Sequence, residues 1–89
     1  MRHNVLVEIT LKTGISDPQG QTVERSLPAL GFEGIADVRI GKAVRLSVDA
    51  PTEDAARDIV QAVCDRFLTN PVIEDARIMI GDQVGALVS

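Results

Sequence analysis

From Val5 to Lys12 apolar and polar residues alternate, with Val5, Val7, Ile9 and Leu11 on one side and Leu6, Glu8, Thr10 and Lys12 on the other. A period of two belongs to a strand with one face against a core, so this run is the first predicted strand, broken at Thr13-Gly14. Asp17-Pro18 then starts a helix. The Asp17 carboxylate can accept a first-turn N–H, and Pro18 has no N–H to waste at the first helical position. Val23, Leu27 and Leu30 follow at helical spacing, and Gly31 is suited to a left-handed stop with Phe32 packing back on Leu27. Pro28 removes one helical hydrogen bond and presses on the Glu24 carbonyl, which predicts a kink or an early end near Glu24.

Ala36, Val38 and Ile40 alternate with Asp37 and Arg39, the pattern of a second strand; Val44, Leu46 and Val48 alternate with Arg45, Ser47 and Asp49, a third. For the two to share a core face, Ile40 must pair with Val44 across a three-residue or bulged turn at Gly41-Lys42. Thr52 caps a second helix whose stripe is Ala56, Ile59, Val60, Val63, Cys64 and Phe67, with Glu53 placed to pair with Arg57. Asn70-Pro71 ends it. Ala76, Ile78 and Ile80 form the inner row of a fourth strand, with Ile73, Asp75, Arg77 and Met79 outside. The tail after Gly81 has no clear period. The order strand–helix–strand–strand–helix–strand predicts a single α+β domain over residues 1–89. Its expected form is a ferredoxin-like two-layer βαββαβ sandwich, an antiparallel four-stranded sheet with two helices on one face.

Composition narrows what such a domain can do. The 89 residues carry a formal net charge of −4, no Trp or Tyr and only two Phe, so neither a basic face nor stacking aromatics are available for nucleic acid. The apolar runs are far shorter than the roughly 20 residues of a membrane helix. The start Met-Arg-His-Asn passes straight into a strand pattern without a signal peptide, so a cytoplasmic protein without a membrane partner is expected.

Candidate chemistry is sparse. His3, the only histidine, lies at the N-terminus, and Cys64, the only cysteine, falls on the buried stripe of the second helix without a base beside it. Glu74 and Asp75 point to opposite faces of their strand and cannot form an acid–base pair. Metal ligands at a binding spacing are absent from the pattern. The loop from Gly14 to Gly20 could present a helix N-terminus to an anion, but Asp17 places a negative charge there, and capping is the better reading. What remains is the open sheet face, where Leu6, Ile73 and Met79 lie among Glu8, Lys12, Asp37, Arg39, Arg45, Asp75 and Arg77. It is either a solvated surface or an association surface.

Four segments, Leu11-Lys12, Asp17-Pro18-Gln19-Gly20, Val38-Arg39-Ile40-Gly41-Lys42 and Leu68-Thr69-Asn70-Pro71-Val72-Ile73-Glu74-Asp75, together resemble the PurS family, the small subunit of the multi-subunit phosphoribosylformylglycinamidine synthase. The resemblance implies a non-catalytic accessory subunit in purine biosynthesis. As a homodimer or dimer of dimers, it bridges a glutaminase subunit and a large ATP-dependent synthase subunit and supports ammonia transfer. It implies no cofactor here, with ATP, magnesium and glutamine used by the partner subunits. The partner-binding residues expected on this basis are Asp17, Pro18, Gln19, Gly20, Arg39, Gly41, Lys42, Asn70 and Pro71. Cap and turn chemistry account for Asp17, Pro18, Gly41 and Pro71 about as well, which leaves Arg39 and Lys42 as the stronger contact candidates. The chain departs from the family pattern at Arg45, Ala76, Pro28 and the tail. Two other readings fit the topology: a dimeric small-molecule-binding regulatory module, and an acylphosphatase-like enzyme. The second requires an arginine in the loop Thr13-Gly14-Ile15-Ser16-Asp17, which has none.

Overall fold

The alternating run that opens the chain forms the central strand of the computed structural model, which describes residues 1–81. This strand, β1 (Arg2–Leu11), is followed by helix α1 (Pro18–Ser26), strand β2 (Lys42–Asp49), helix α2 (Glu53–Val63) and strand β3 (Glu74–Ile80). The sheet is antiparallel with order β2-β1-β3. Register sets Val7 between Val44 and Ile78, and Val5 between Leu46 and Ile80, so the alternating apolar rows share one face.

Helix α2 closes that face. Val60 and Cys64 pack on Val5, Val7 and Ile9, with Val44, Leu46, Val48, Ala76, Ile78 and Ile80 around them. Each fully buried aliphatic side chain contributes about 1.5–3 kcal/mol, so this cluster supplies most of the stability. Thr52 caps α2 as predicted, its Oγ1 accepting the Ala55 N–H at 3.0 Å. The helix then widens into a π turn over Cys64–Leu68 and stops at Thr69, whose N–H and hydroxyl both donate to the Cys64 carbonyl. Arg57 donates to the Ile78 carbonyl at 3.2 Å, a tie to β3 that its spacing from Glu53 did not suggest.

The outer face of the sheet does not hold all the residues the sequence pattern assigned to it. Leu6 is only 6% exposed, with Arg45 and Met79 as its register partners, and Glu8 lies opposite Arg77. Ile73 sits in the turn before β3, and Asp37 and Arg39 lie outside the sheet.

Among the described residues the sheet has three strands, not the predicted four. Residues 36–40 alternate as a strand should, yet they form none, and the expected pairing of Ile40 with Val44 is absent. Asp37 adopts a φ of 59°, which breaks extended geometry. The amides a ladder would use are taken by side chains: Val38 N–H donates to Glu24 Oε1 and Ile40 N–H to Asp17 Oδ2, both at 2.9 Å.

Helix α1 regularly ends at Ser26, followed by a 3-10 turn over Pro28–Leu30, so Pro28 stops the helix two residues later than predicted. Gly31 takes the left-handed stop at φ 93°, and the N–H of Phe32 donates to the Leu27 carbonyl at 3.0 Å, the Schellman ending foreseen from the sequence. Only Gly20 of α1 is buried. The helix and the segment behind it, residues 27–41 (the strap), form an arm, and the chain measures 51 × 30 × 14 Å. The tail beyond Gly81 lies outside the described residues.

Candidate partner-binding site

The arm is anchored at one end of the sheet, and the anchor is built from residues singled out in the sequence. Asp17, 5% exposed, ends the loop after β1 as the cap of α1. Its Oδ1 accepts the Gly20 N–H and its Oδ2 the Ile40 N–H, each at 2.9 Å, and the Arg39 Nε lies 3.8 Å from Oδ2. The hydrogen bond from Gly20, that from Ile40 and the charge of Arg39 hold the Asp17 carboxyl below its ordinary value against the opposing effect of burial. The result is a fixed negative charge that ties the helix start to the strap.

Two glycines permit this packing. A Cβ on Gly20 would meet the Val38 carbonyl oxygen at 2.4 Å and Asp17 Oδ2 at 2.7 Å; one on Gly41 would meet the Ile9 carbonyl oxygen at 2.7 Å. Both are therefore positions of close backbone approach, a reason for glycine that turn chemistry alone did not supply.

On the far side of the anchor, the Lys42 amine lies 3.8 Å from Glu74 Oε2. Glu74 Oε1 accepts the Asn70 N–H at 2.8 Å, and the Asn70 carbonyl accepts the N–H groups of Ile73 and Glu74. Asn70 Oδ1 accepts from Val72 at 3.2 Å, an Asx-type turn that carries Pro71 on the surface. A cavity of about 300 Å³ joins the two halves, lined by Asp17, Pro18, Gln19, Gly41, Lys42 and Glu74 with Ile9, Leu11 and Ile40.

The structure therefore gathers most of the nine predicted residues at one end of the sheet. Asp17, Pro18, Gln19, Gly41 and Lys42 line the cavity, Gly20 and Arg39 touch it through Asp17, and Asn70 reaches it through Glu74. Pro71 is exposed and has no part in the cavity. The reading of single residues missed Glu24, Ile40 and Glu74. Glu24 was visible only as the carbonyl beneath Pro28, and nothing in the pattern shows that its carboxylate bonds Val38.

The carboxylates here are structural: Asp17 has both oxygens occupied, as has Glu74. His3 Nε2 sits 3.2 Å from the Ala50 carbonyl, and burial, with the charge of Asp65, pushes the Cys64 thiol up. Among the described residues no group of three or more His, Cys, Asp or Glu is placed to hold a metal, and no helix is long and apolar enough to cross a membrane. Arg39 and Lys42 present their charges outward, 48% and 64% exposed. What the geometry offers is a corner held by carboxylate ties that exposes two cations, Arg39 and Lys42.

Residues 4–82 match the PurS family model, described as phosphoribosylformylglycinamidine (FGAM) synthase. The PurS subunit of phosphoribosylformylglycinamidine synthase from Bacillus subtilis is 34% identical over 82 residues, 92% of this chain and 96% of that protein. Its counterpart from Synechocystis is 39% identical over 69 residues, 78% of this chain and 69% of that protein. Among solved structures, PurS of Methanocaldococcus jannaschii, one of the subunits of formylglycinamide ribonucleotide amidotransferase, superposes with a TM-score of 0.81 at 32% identity, covering 89% of this chain and 95% of that one. A chain of the Thermotoga maritima PurLQS structure gives 0.85 at 27% identity, covering 91% of this chain and 99% of that one.

Proposed function

Since this chain belongs to the PurS family of phosphoribosylformylglycinamidine synthase subunits, we propose that it is the accessory subunit that bridges the glutaminase and the ATP-dependent synthase in de novo purine biosynthesis. It contributes no catalytic group and no cofactor; ATP, magnesium and glutamine are handled by the partner subunits. It associates with itself, as a homodimer or dimer of dimers, works in the cytoplasm, and supports the passage of ammonia by holding the two enzymes in register. The contact residues are Arg39 and Lys42, with Gln19 and Pro18 between them. Asp17, Gly20, Gly41, Asn70 and Pro71 shape the corner that displays them.

The observation that carries this reading is the near-complete match to a chain of the PurLQS structure, 99% of that chain at a TM-score of 0.85. It is supported by the corner at the sheet end, where the Asp17 and Glu74 carboxylates serve as ties and their ion-pair partners Arg39 and Lys42 are about half or more exposed. Omission tests the proposal. Glutamine-dependent synthesis of the amidine by the two larger subunits should fall when this chain is left out and return when it is added. Equal glutamine-dependent rates with and without it would refute the bridging role.

A further inference from the structure

The cavity beside the Asp17 anchor is an apolar recess with a charged mouth. Ile9, Leu11 and Ile40 supply its apolar surface, and the exposed Gln19 and Lys42 stand at its opening. Its walls are fixed from within the chain. Asp17 Oδ2 holds the Ile40 N–H at 2.9 Å, and Glu74 Oε1 holds the Asn70 N–H at 2.8 Å. Gly41 lies against the Ile9 carbonyl with no space for a methyl group. A recess shaped in advance costs little ordering when a group enters it.

The charge on offer at the mouth is positive. The chain as a whole carries −4, yet the two carboxylates here are covered, the side chain of Asp17 6% and that of Glu74 16% exposed. Arg39 and Lys42 are the exposed members of the two pairs. Each stands 3.8 Å from its carboxylate, beyond the roughly 2.7–3.2 Å of a hydrogen bond. Lys12, at the same end of the sheet, differs: its amine donates to Asp75 at 2.7 Å. Arg39 and Lys42 thus keep N–H groups for a second acceptor, and the Gln19 amide can both donate and accept.

We infer that the recess seats a segment of one larger subunit in which an aliphatic side chain adjoins an Asp or Glu. The aliphatic group enters against Ile9, Leu11 and Ile40, and the carboxylate pairs with Lys42 and Arg39. Ligand pockets bury roughly 70–90% of a free small molecule, whereas this recess of about 300 Å³ is open along Gln19 and Lys42. One anchor side chain in a pocket, with charges paired at the rim, is the form of a protein contact. The inference rests on the proposed bridging role and supplies the chemistry of its contact.

Carbodiimide coupling within the assembled complex tests it, because the reagent joins an amine directly to a carboxylate in contact with it. The expected product is an amide between Lys42 and an Asp or Glu of a larger subunit that adjoins an aliphatic residue. Mass spectrometry of the digest identifies it, and Lys42→Gln abolishes it. Gln19→Trp, which closes the mouth from an exposed position, should weaken binding of that subunit about tenfold by calorimetry at an unchanged melting temperature. Exposed Gln21→Trp, about 200° away around α1, should not. Suppose the complex forms but Lys42 couples only to Glu74, to a second copy of this chain, to an acid without an aliphatic neighbour, or to nothing. That result overturns the seat and leaves the bridging role standing, as does a Gln19→Trp chain that binds as tightly as wild type. Failure of the wild-type chain to join either subunit overturns both.

Discussion

Asp17 accepts the backbone N–H of Ile40 at 2.9 Å across 23 residues of sequence. This one contact closes the loop that contains α1 and the strap, and it replaces the strand pairing that the alternation of residues 36–40 would otherwise favour. A buried carboxylate with both oxygens occupied is costly to disturb, because removing it leaves amides without partners. The corner that displays Arg39 and Lys42 therefore depends on it.

Gly20 is the steric half of the same anchor. Gly20→Ala should destabilise the protein by about 1–3 kcal/mol, the usual range for overpacking, since a Cβ there meets the Val38 oxygen at 2.4 Å. Exposed Gln21→Ala, one residue on, should stay within about 0.5 kcal/mol of wild type. Urea unfolding of the two variants checks this; equal midpoints would mean that the strap does not pack on the helix start.

The Asp17 carboxyl is held below its ordinary value of 3.8 in the folded state. A depressed carboxylate stabilises the fold at pH above the unfolded value, and that contribution is lost as pH falls through the folded one. Thermal stability attributable to Asp17 should thus be level above about pH 5 and decline below 3.8. Asp17→Asn should be less stable at pH 7 and show a shallower acid decline. An unchanged acid limb in this variant would assign the pH dependence to other groups.

Lys42 and Glu74 are 3.8 Å apart, and Lys42 is 64% exposed. Such pairs are worth about 0–1 kcal/mol, so the neutral variants Lys42→Gln and Arg39→Gln should leave the melting temperature nearly unchanged. Their effect should fall on assembly, with affinity for the larger subunits down about tenfold, or roughly 1.4 kcal/mol. Calorimetric titration distinguishes this from a structural role, in which melting temperature and affinity would fall together.

Cys64 is fully buried in the core, and its thiol is pushed up by that burial. The thiolate is the reactive form, so a maleimide or aromatic disulfide reagent should label the native protein far more slowly than the urea-unfolded chain. Rapid native labelling would place Cys64 outside the core described here.

The core was legible in the sequence because β1 and β2 alternate on their inner rows and Ala56, Val60 and Cys64 of the α2 stripe are buried against them, whereas Ile59, Val63 and Phe67 of the same predicted stripe are exposed. The caps at Asp17 and Thr52 and the stop at Gly31 were legible because each needs only one residue type in one place. The failure at residues 36–40 has a physical cause. Alternation reports which side chains could share a face, and it is silent on which acceptors the amides find. Glu24 and Asp17 supply those acceptors from a helix 14 and 23 residues away. Most of the candidate site was found through motif resemblance. Its chemistry was not, because Gly20 and Gly41 are required by backbone approaches that exist only in the folded chain.

The most direct test of the account is the mass, by light scattering, of this chain mixed with the glutaminase and the ATP-dependent synthase subunits. A single species containing all three proteins is the result expected. A mixture in which the two enzymes elute without it, and it elutes at its own mass, would contradict the central claim.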